Sequence, residues 1–115
     1  MNIKDRLIAR GRRTASRIYS NVAYIILLPK NSRDHLGQQS FVLGKSSSLI
    51  WKLIENKTTV RGLISRFCKK RRIRVSREIE VAILKNVRQL IKNEIVEVVD
   101  KNYEKYDTWL RKGIE

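Results

Sequence analysis

The side chains able to do covalent chemistry are few and scattered. Cys68 is the single cysteine and His35 the single histidine of the 115 residues. Neither stands near the partner that a nucleophile–base pair needs. Cys68 follows Phe67 at the end of an apolar helical repeat, where a half-buried thiol packs as a small apolar group. His35 lies in a polar stretch with Asn31, Ser32, Asp34 and Gly37. No set of Cys, His and carboxylates has metal-site spacing, and no glycine-rich turn has the pattern that cradles phosphate. Catalysis is the weakest functional reading, and the sequence implies no catalytic residue, metal or cofactor. What remains is non-covalent: strand backbone, apolar stripes and many cations.

The cations are unevenly spread. The formal net charge is +15, and residues 46–75 hold nine basic side chains against one acidic. Residues 1–20 hold six against one, whereas residues 76–115 balance eight against eight. Such a surface favours an acidic partner: nucleic acid, anionic lipid or an acidic peptide. At this length, with 42% hydrophobic residues, the chain supports one folded domain with one modest core. The strongest apolar run, residues 22–28, is strand-sized and too short to cross a bilayer. No apolar segment follows the basic N-terminus as a secretory signal would require, and one cysteine permits no disulfide framework. A reducing, cytoplasmic location is the expectation.

The elements follow from period and punctuation. Ile3, Leu7 and Ile8 suggest a short basic helix ended by Gly11, and Ala15 to Tyr19 an edge strand. Residues 22–28 read as a strand that Pro29 terminates. Residues 30–37 form a polar loop. Gln39, Ser40, Phe41, Val42 and Leu43 return as an antiparallel strand, and Gly44 is expected to permit a sharp exit. Ser46, Ser47 and Ser48 offer hydroxyls to the start of a helix carrying Leu49, Ile50, Leu53 and Ile54, with Trp51 beside them. Thr58 or Thr59 can cap a second helix whose stripe is Val60, Leu63, Ile64 and Phe67. A basic connector, Lys69-Lys70-Arg71-Arg72-Ile73-Arg74, leads to a third helix capped by Ser76, with Glu78 and Glu80 at its positive end.

That third helix has two apolar lines. Ile79, Ala82, Ile83, Val87 and Leu90 form the core stripe. Val81, Leu84 and Ile91 form a shallower one, flanked by Lys85 and Arg88. The side stripe either meets the sheet or lines a groove. Asn93 is the expected left-handed cap, and residues 94–99 read as a final extended segment. Tyr103, Tyr106, Trp109 and Leu110 have helical spacing in a charged tail, suited to docking on the domain itself or on another subunit, as in a homodimer. The architecture is α+β and winged-helix-like: two or three N-terminal antiparallel strands, a three-helix bundle and a short C-terminal strand. Its divisions are a basic arm (1–20), a folded domain (21–99) and an aromatic, charged tail (100–115).

Within residues 24–99, about two-thirds of the chain, the order and spacing of these pieces resembles the PqqD family. Members are small proteins of pyrroloquinoline-quinone biosynthesis, and the same module recurs as the peptide-recognition element of ribosomal-peptide (RiPP) modification systems. The resemblance rests on Phe41-Val42-Leu43-Gly44, the helix from Ser46 to Ile54, Thr59-Val60, the helix reaching Phe67, and the long helix closing on Asn93-Glu94-Ile95-Val96. Gly44 stands where the family often has Asn, and Asn93 where it often has Gly.

The resemblance implies a binding protein and peptide chaperone. The leader segment of a precursor peptide would add to the edge of the strand Gln39, Ser40, Phe41, Val42, Leu43. It would lie against Val81, Leu84, Lys85 and Arg88, and be presented to a radical-SAM enzyme, cyclase or leader peptidase. Strand addition takes affinity from unpaired edge N–H and C=O groups and selectivity from adjoining side chains. The rival reading is a winged-helix nucleic-acid-binding protein, resting on charge and on Lys69 to Arg74 with Arg77. Against it, Glu78 and Glu80 occupy the end that a reading helix usually inserts.

Overall fold

The computed structural model describes residues 3–29 and 38–99. The chain is α+β: antiparallel strands at the N-terminus, three helices, and a strand at the end. After a short 3-10 turn (Ile3–Asp5) the elements are β1 (Leu7–Arg10), β2 (Thr14–Tyr19), β3 (Val22–Leu27), β4 (Gln39–Val42), α1 (Lys45–Leu53), β5 (Thr58–Thr59), α2 (Val60–Arg71), α3 (Arg77–Lys92) and β6 (Val96–Val98). They make two three-stranded antiparallel sheets, ordered β5-β1-β6 and β2-β3-β4.

The first sheet is a correction to the sequence reading. The expected basic helix over Ile3, Leu7 and Ile8 does not form: Ile3 lies in the 3-10 turn, and Leu7 and Ile8 belong to strand β1. It pairs Ile8 with Thr58 on one side and Val98 on the other. Ile8 is fully buried in the core. Partners lying far along the chain outweigh any local helical bias in so short a segment.

The second sheet follows the expected alternation. Along β3, Ala23, Ile25 and Leu27 are buried while Tyr24 and Ile26 face out. Ile25 lies opposite Phe41, so Phe41 faces the core side of β4 and Val42 the outer side. Helices α1 to α3 cover the inner face. Ile50, Trp51, Ile54, Val60, Leu63, Ile64, Phe67, Ile83, Val87 and Leu90 join the strands in one cluster. Trp51, expected beside the α1 stripe, lies at its centre, 1% exposed. Cys68 is buried rather than half-buried.

The caps are met at two helices and missed at one. Thr59 Oγ1 accepts from Gly62 N–H at 3.0 Å, and Ser76 Oγ accepts from Ile79 N–H at 3.3 Å. At α1 the N-cap is Gly44, with no side-chain bond, and the serines are used elsewhere. Gly44 has φ −66°, and a Cβ there would meet nothing within 4 Å, so this corner does not require glycine. Asn93 is likewise not the left-handed residue: its φ is −84°, and Glu94 next to it has φ 63°.

The glycine that geometry does require is Gly11. Its N–H donates to Ile95 O at 2.8 Å, and a Cβ would lie 2.6 Å from the Glu94 carbonyl oxygen. Both neighbours are backbone and cannot rotate away. The His35 loop and the Tyr103–Leu110 tail lie outside the described residues. Among the described residues no helix is long and apolar enough to cross a membrane.

These two glycines separate under substitution. Gly11→Ala is expected to destabilise the fold by about 1–3 kcal/mol through overpacking. Gly44→Ser is expected to be neutral or to add a few tenths of a kcal/mol (~0.3) through a new cap. Urea unfolding of both variants checks the contrast, and equal destabilisation would refute it.

Candidate peptide-docking site

The site is built outward from one buried hydroxyl. Leu43 N–H donates to Ala23 O at 3.0 Å. The return bond of that pair is relayed: Ala23 N–H donates to Ser48 Oγ at 2.9 Å, and Ser48 Oγ–H donates to Leu43 O at 3.0 Å. Ser48 is 3% exposed, so these groups have no recourse to bulk water. The relay fastens the first turn of α1 to the end of the β3–β4 ladder.

The Leu43–Ala23 pair also sets the parity of β4. In an antiparallel ladder, residues bonded to the partner alternate with residues whose N–H and C=O point the other way. The register continues from Leu43–Ala23 to Phe41–Ile25 and Gln39–Leu27. Ser40 and Val42 therefore aim their main-chain groups away from β3. The other side of β3 agrees, since Leu28 N–H bonds Arg13 O and β2 takes the alternate residues. Among the described residues β4 is an end strand of its sheet, and Val42 is 67% exposed. The opposite end strand, β2, is anchored where it begins, with Thr14 N–H bonded to Gly11 O at 3.2 Å.

Helix α3 is tied to the corner after β4. Ser47 Oγ donates to Asn86 Oδ1 at 2.5 Å, and Asn86 Nδ2 donates back to Ala82 O at 3.3 Å. With about 3.6 residues per turn, Ala82 and Gln89 share Asn86's flank and Lys85 borders it. The opposite flank carries Glu80, Leu84 and Ile91, and there Glu80 pairs with Lys4 at 3.0 Å. Val81, Lys85 and Arg88 lie on the outer surface of α3, Val81 being 56% exposed. Leu84 is half-buried against the core cluster.

The sequence-predicted residues thus divide. Gln39, Ser40, Phe41, Val42 and Leu43 form one ribbon with a definite inner and outer set. Of the four on α3, Lys85 stands nearest the flank that faces the corner. Val81 and Arg88 face solvent, and Leu84 turns toward the Lys4 side. The side stripe neither meets the second sheet as a unit nor lines one wall. Asn86 and Gln89, overlooked in sequence, and Ala82, expected in the core stripe but exposed, are the α3 residues on the corner side. The core stripe placed by Ile83 and Val87 would have pointed to them by helical spacing.

The scaffold behind the site is held by Trp51. Its Nε1–H donates to Ser16 Oγ at 3.2 Å, and the Arg10 guanidinium sits 4.8 Å from its ring centroid. Arg10 also donates twice to Trp51 O, at 3.0 and 3.3 Å. Burial lowers the pKa of Arg10 from its ordinary value, and the Glu55 carboxylate opposes that shift. One α1 side chain and its carbonyl therefore touch both sheets. Among the described residues no group of three His, Cys, Asp or Glu side chains is placed to hold a metal.

Comparison with known proteins gives one informative likeness. No protein-family model matches the chain, and no curated protein matches it. A solved structure, TbiB1 in complex with the TbiA(beta) leader peptide, is similar in fold with a TM-score of 0.62. The sequences are 19% identical over 81% of this chain and 99% of that one. The likeness shows a shared fold, that of a protein solved with a leader peptide bound.

The hydroxyl relay is open to direct test. Ser48→Ala leaves the Ala23 N–H and Leu43 C=O without their partner and is expected to cost about 1–3 kcal/mol. Urea unfolding measures it. Amide exchange at Ala23 should quicken more than at Val60, and an unchanged Ala23 rate would exclude the relay.

Proposed function

We propose that this chain binds the leader segment of a ribosomally made precursor peptide by β-strand addition to β4 and presents it to a modifying enzyme, doing no chemistry itself. The observation that carries the reading is the parity of β4, whose outward main-chain groups are those of Ser40 and Val42. An extended guest would bond to that rim and cover the exposed Val42. It would pass the α3 flank formed by Asn86, Ala82 and Gln89, with Lys85 at its border and Phe41 and Leu43 at its base. Lys85, and Arg88 beyond it, would meet acidic side chains of the guest. Leu84 and Val81 would act less directly, Leu84 by supporting the helix from behind. The shared fold with a protein solved with a leader peptide supports this choice over other extended ligands. The modifying enzyme, the PqqD-like kinship and the cytoplasmic setting belong to the same proposal. The nucleic-acid alternative gains no matching support: the first turn of α3 carries Glu78 and Glu80.

Proline tests main-chain recognition residue by residue. Val42→Pro removes an outward N–H and leaves the bonds to β3 intact, which edge positions tolerate. Phe41→Pro removes an inward N–H. The probe is a labelled synthetic leader of a candidate precursor peptide, with a scrambled version as control. Val42→Pro should fold normally and bind at least about tenfold more weakly, having lost a hydrogen bond and gained a steric block. Val42→Thr, which keeps the N–H, should bind nearly as the parent does. Phe41→Pro should lose stability instead. Undiminished binding by Val42→Pro would rule out addition to this edge.

A further inference from the structure

A second concave feature lies beside the β2–β3 turn, where α1 meets the end of α2. It is a cleft of about 460 Å³ between the β2–β3 turn, helix α1 and the end of α2. Lys45 and Lys52 enter it from α1, and Lys70 and Arg71 from α2, while Ile18 and Leu49 supply apolar wall. Among the described residues no acidic side chain lines it. The turn that closes one end, Ser20-Asn21, has φ 49° and 65° at its two residues, as a tight two-residue hairpin requires. It presents polar side chains to the cleft.

Ion pairs elsewhere hold four of the described carboxylates. Asp5, Glu80, Glu94 and Glu97 are each bound to a cation: Arg61 at 3.1 Å, Lys4 at 3.0 Å, Arg13, and Arg12 at 3.2 Å. All four pairs lie around the first sheet or the turn that precedes it. Among the described residues Lys45, Lys52 and Lys70 have no carboxylate within ion-pair distance, and Arg71 lies over the Phe67 ring at 5.5 Å. Like charges gathered in a concavity repel one another, and the low-dielectric walls strengthen the field they make. The arrangement is offset when an anion enters.

We infer that this cleft is a docking site for an acidic peptide segment of a partner protein, whose carboxylates meet Lys45, Lys52, Lys70 and Arg71. The lining distinguishes peptide from nucleic acid. Among the described residues none lining the cleft has an aromatic ring on which a base would stack, and the cations surround a hollow instead of tracking a backbone. Three of the four are lysines, which meet single carboxylates from flexible stems. Ile18 and Leu49 take an apolar residue set between the acids. The cleft adjoins the end of β4 through α1: Lys45 stands two residues after Leu43, and Ser48, which also lines the cleft, donates to Leu43 O.

The test uses the full chain and a fluorescein-labelled peptide of repeated Glu-Glu-Leu at physiological ionic strength. Lys52→Glu with Lys70→Glu reverses one charge on each helix of the cleft. Arg77→Glu with Lys92→Glu makes the same net change on α3. The cleft pair should weaken binding about tenfold, equivalent to ~1.4 kcal/mol, and the α3 pair at most about twofold by general screening. Lys52→Ala with Lys70→Ala, free of new repulsion, should fall between them. Carbodiimide coupling of the peptide to the unaltered protein should join its carboxylates to Lys45, Lys52 or Lys70. Equal weakening by both reversed pairs, coupling spread over other lysines, or no binding would overturn the proposal. So would a short DNA duplex that displaces the peptide and depends on the same lysines.

Discussion

A hydroxyl inserted in a ladder governs this molecule. The Ala23–Leu43 pair completes only one of its two direct bonds, and Ser48 carries the other through its oxygen. The sheet is thereby joined to a helix at the point where β4 ends. Shifting α1 by a turn would strand an N–H and a C=O in a site closed to water, a cost comparable to a sizeable share of a small domain's stability. The next link is Trp51, three residues on, which reaches Ser16 in one sheet and holds Arg10 of the other. Helix α1 therefore sets where the two sheets stand relative to each other. Everything placed on β4 or α3 inherits that register.

The fold could be read from sequence wherever pairing is local or periodic. The α2 stripe Val60, Leu63, Ile64, Phe67 is buried to the last residue, and the Thr59 and Ser76 caps form as chemistry suggests. Strands β2, β3 and β4 follow from alternation and from Pro29. The first sheet was not legible because its strands are two to four residues long and join positions 7–10, 58–59 and 96–98. No local window contains both partners. The glycines show the same division. Gly44 sits at an obvious corner yet has open space around it, whereas Gly11 is needed only because residues 94 and 95 fold back onto it.

The site divides along similar lines. Which backbone groups of β4 face outward depends on period two plus one hydrogen bond, so the ribbon could be named from sequence and its parity needed only Leu43. The α3 wall was less accessible. Its apolar character puts Val81 on the shallower side stripe expected to meet the sheet or line a groove, whereas it stands among charged residues on the outer surface. The contact that orients α3 toward β4 is polar, Ser47 to Asn86, and leaves no trace in a hydropathy pattern. Serines at a helix start suggest caps, and here two of the three bind across the fold instead.

Charge and backbone hydrogen bonds act at different ranges. Around the first sheet the carboxylates are matched to cations, and that region stabilises the fold without projecting much field. Around the ends of α1 and α2 Lys45, Lys52 and Lys70 have no carboxylate partner among the described residues, and their field would reach about a Debye length, some 8 Å in physiological salt. A field of that kind raises encounter rates but discriminates poorly. The rim of β4 has the opposite character: its hydrogen bonds act only at contact and are largely indifferent to salt. A four-residue edge offers few such bonds, which limits recruitment of arbitrary strands, so in the proposed strand addition selectivity would come from the side chains beside it. Phe41 and Leu43 at its base and the Asn86 flank of α3 are the groups positioned to supply it.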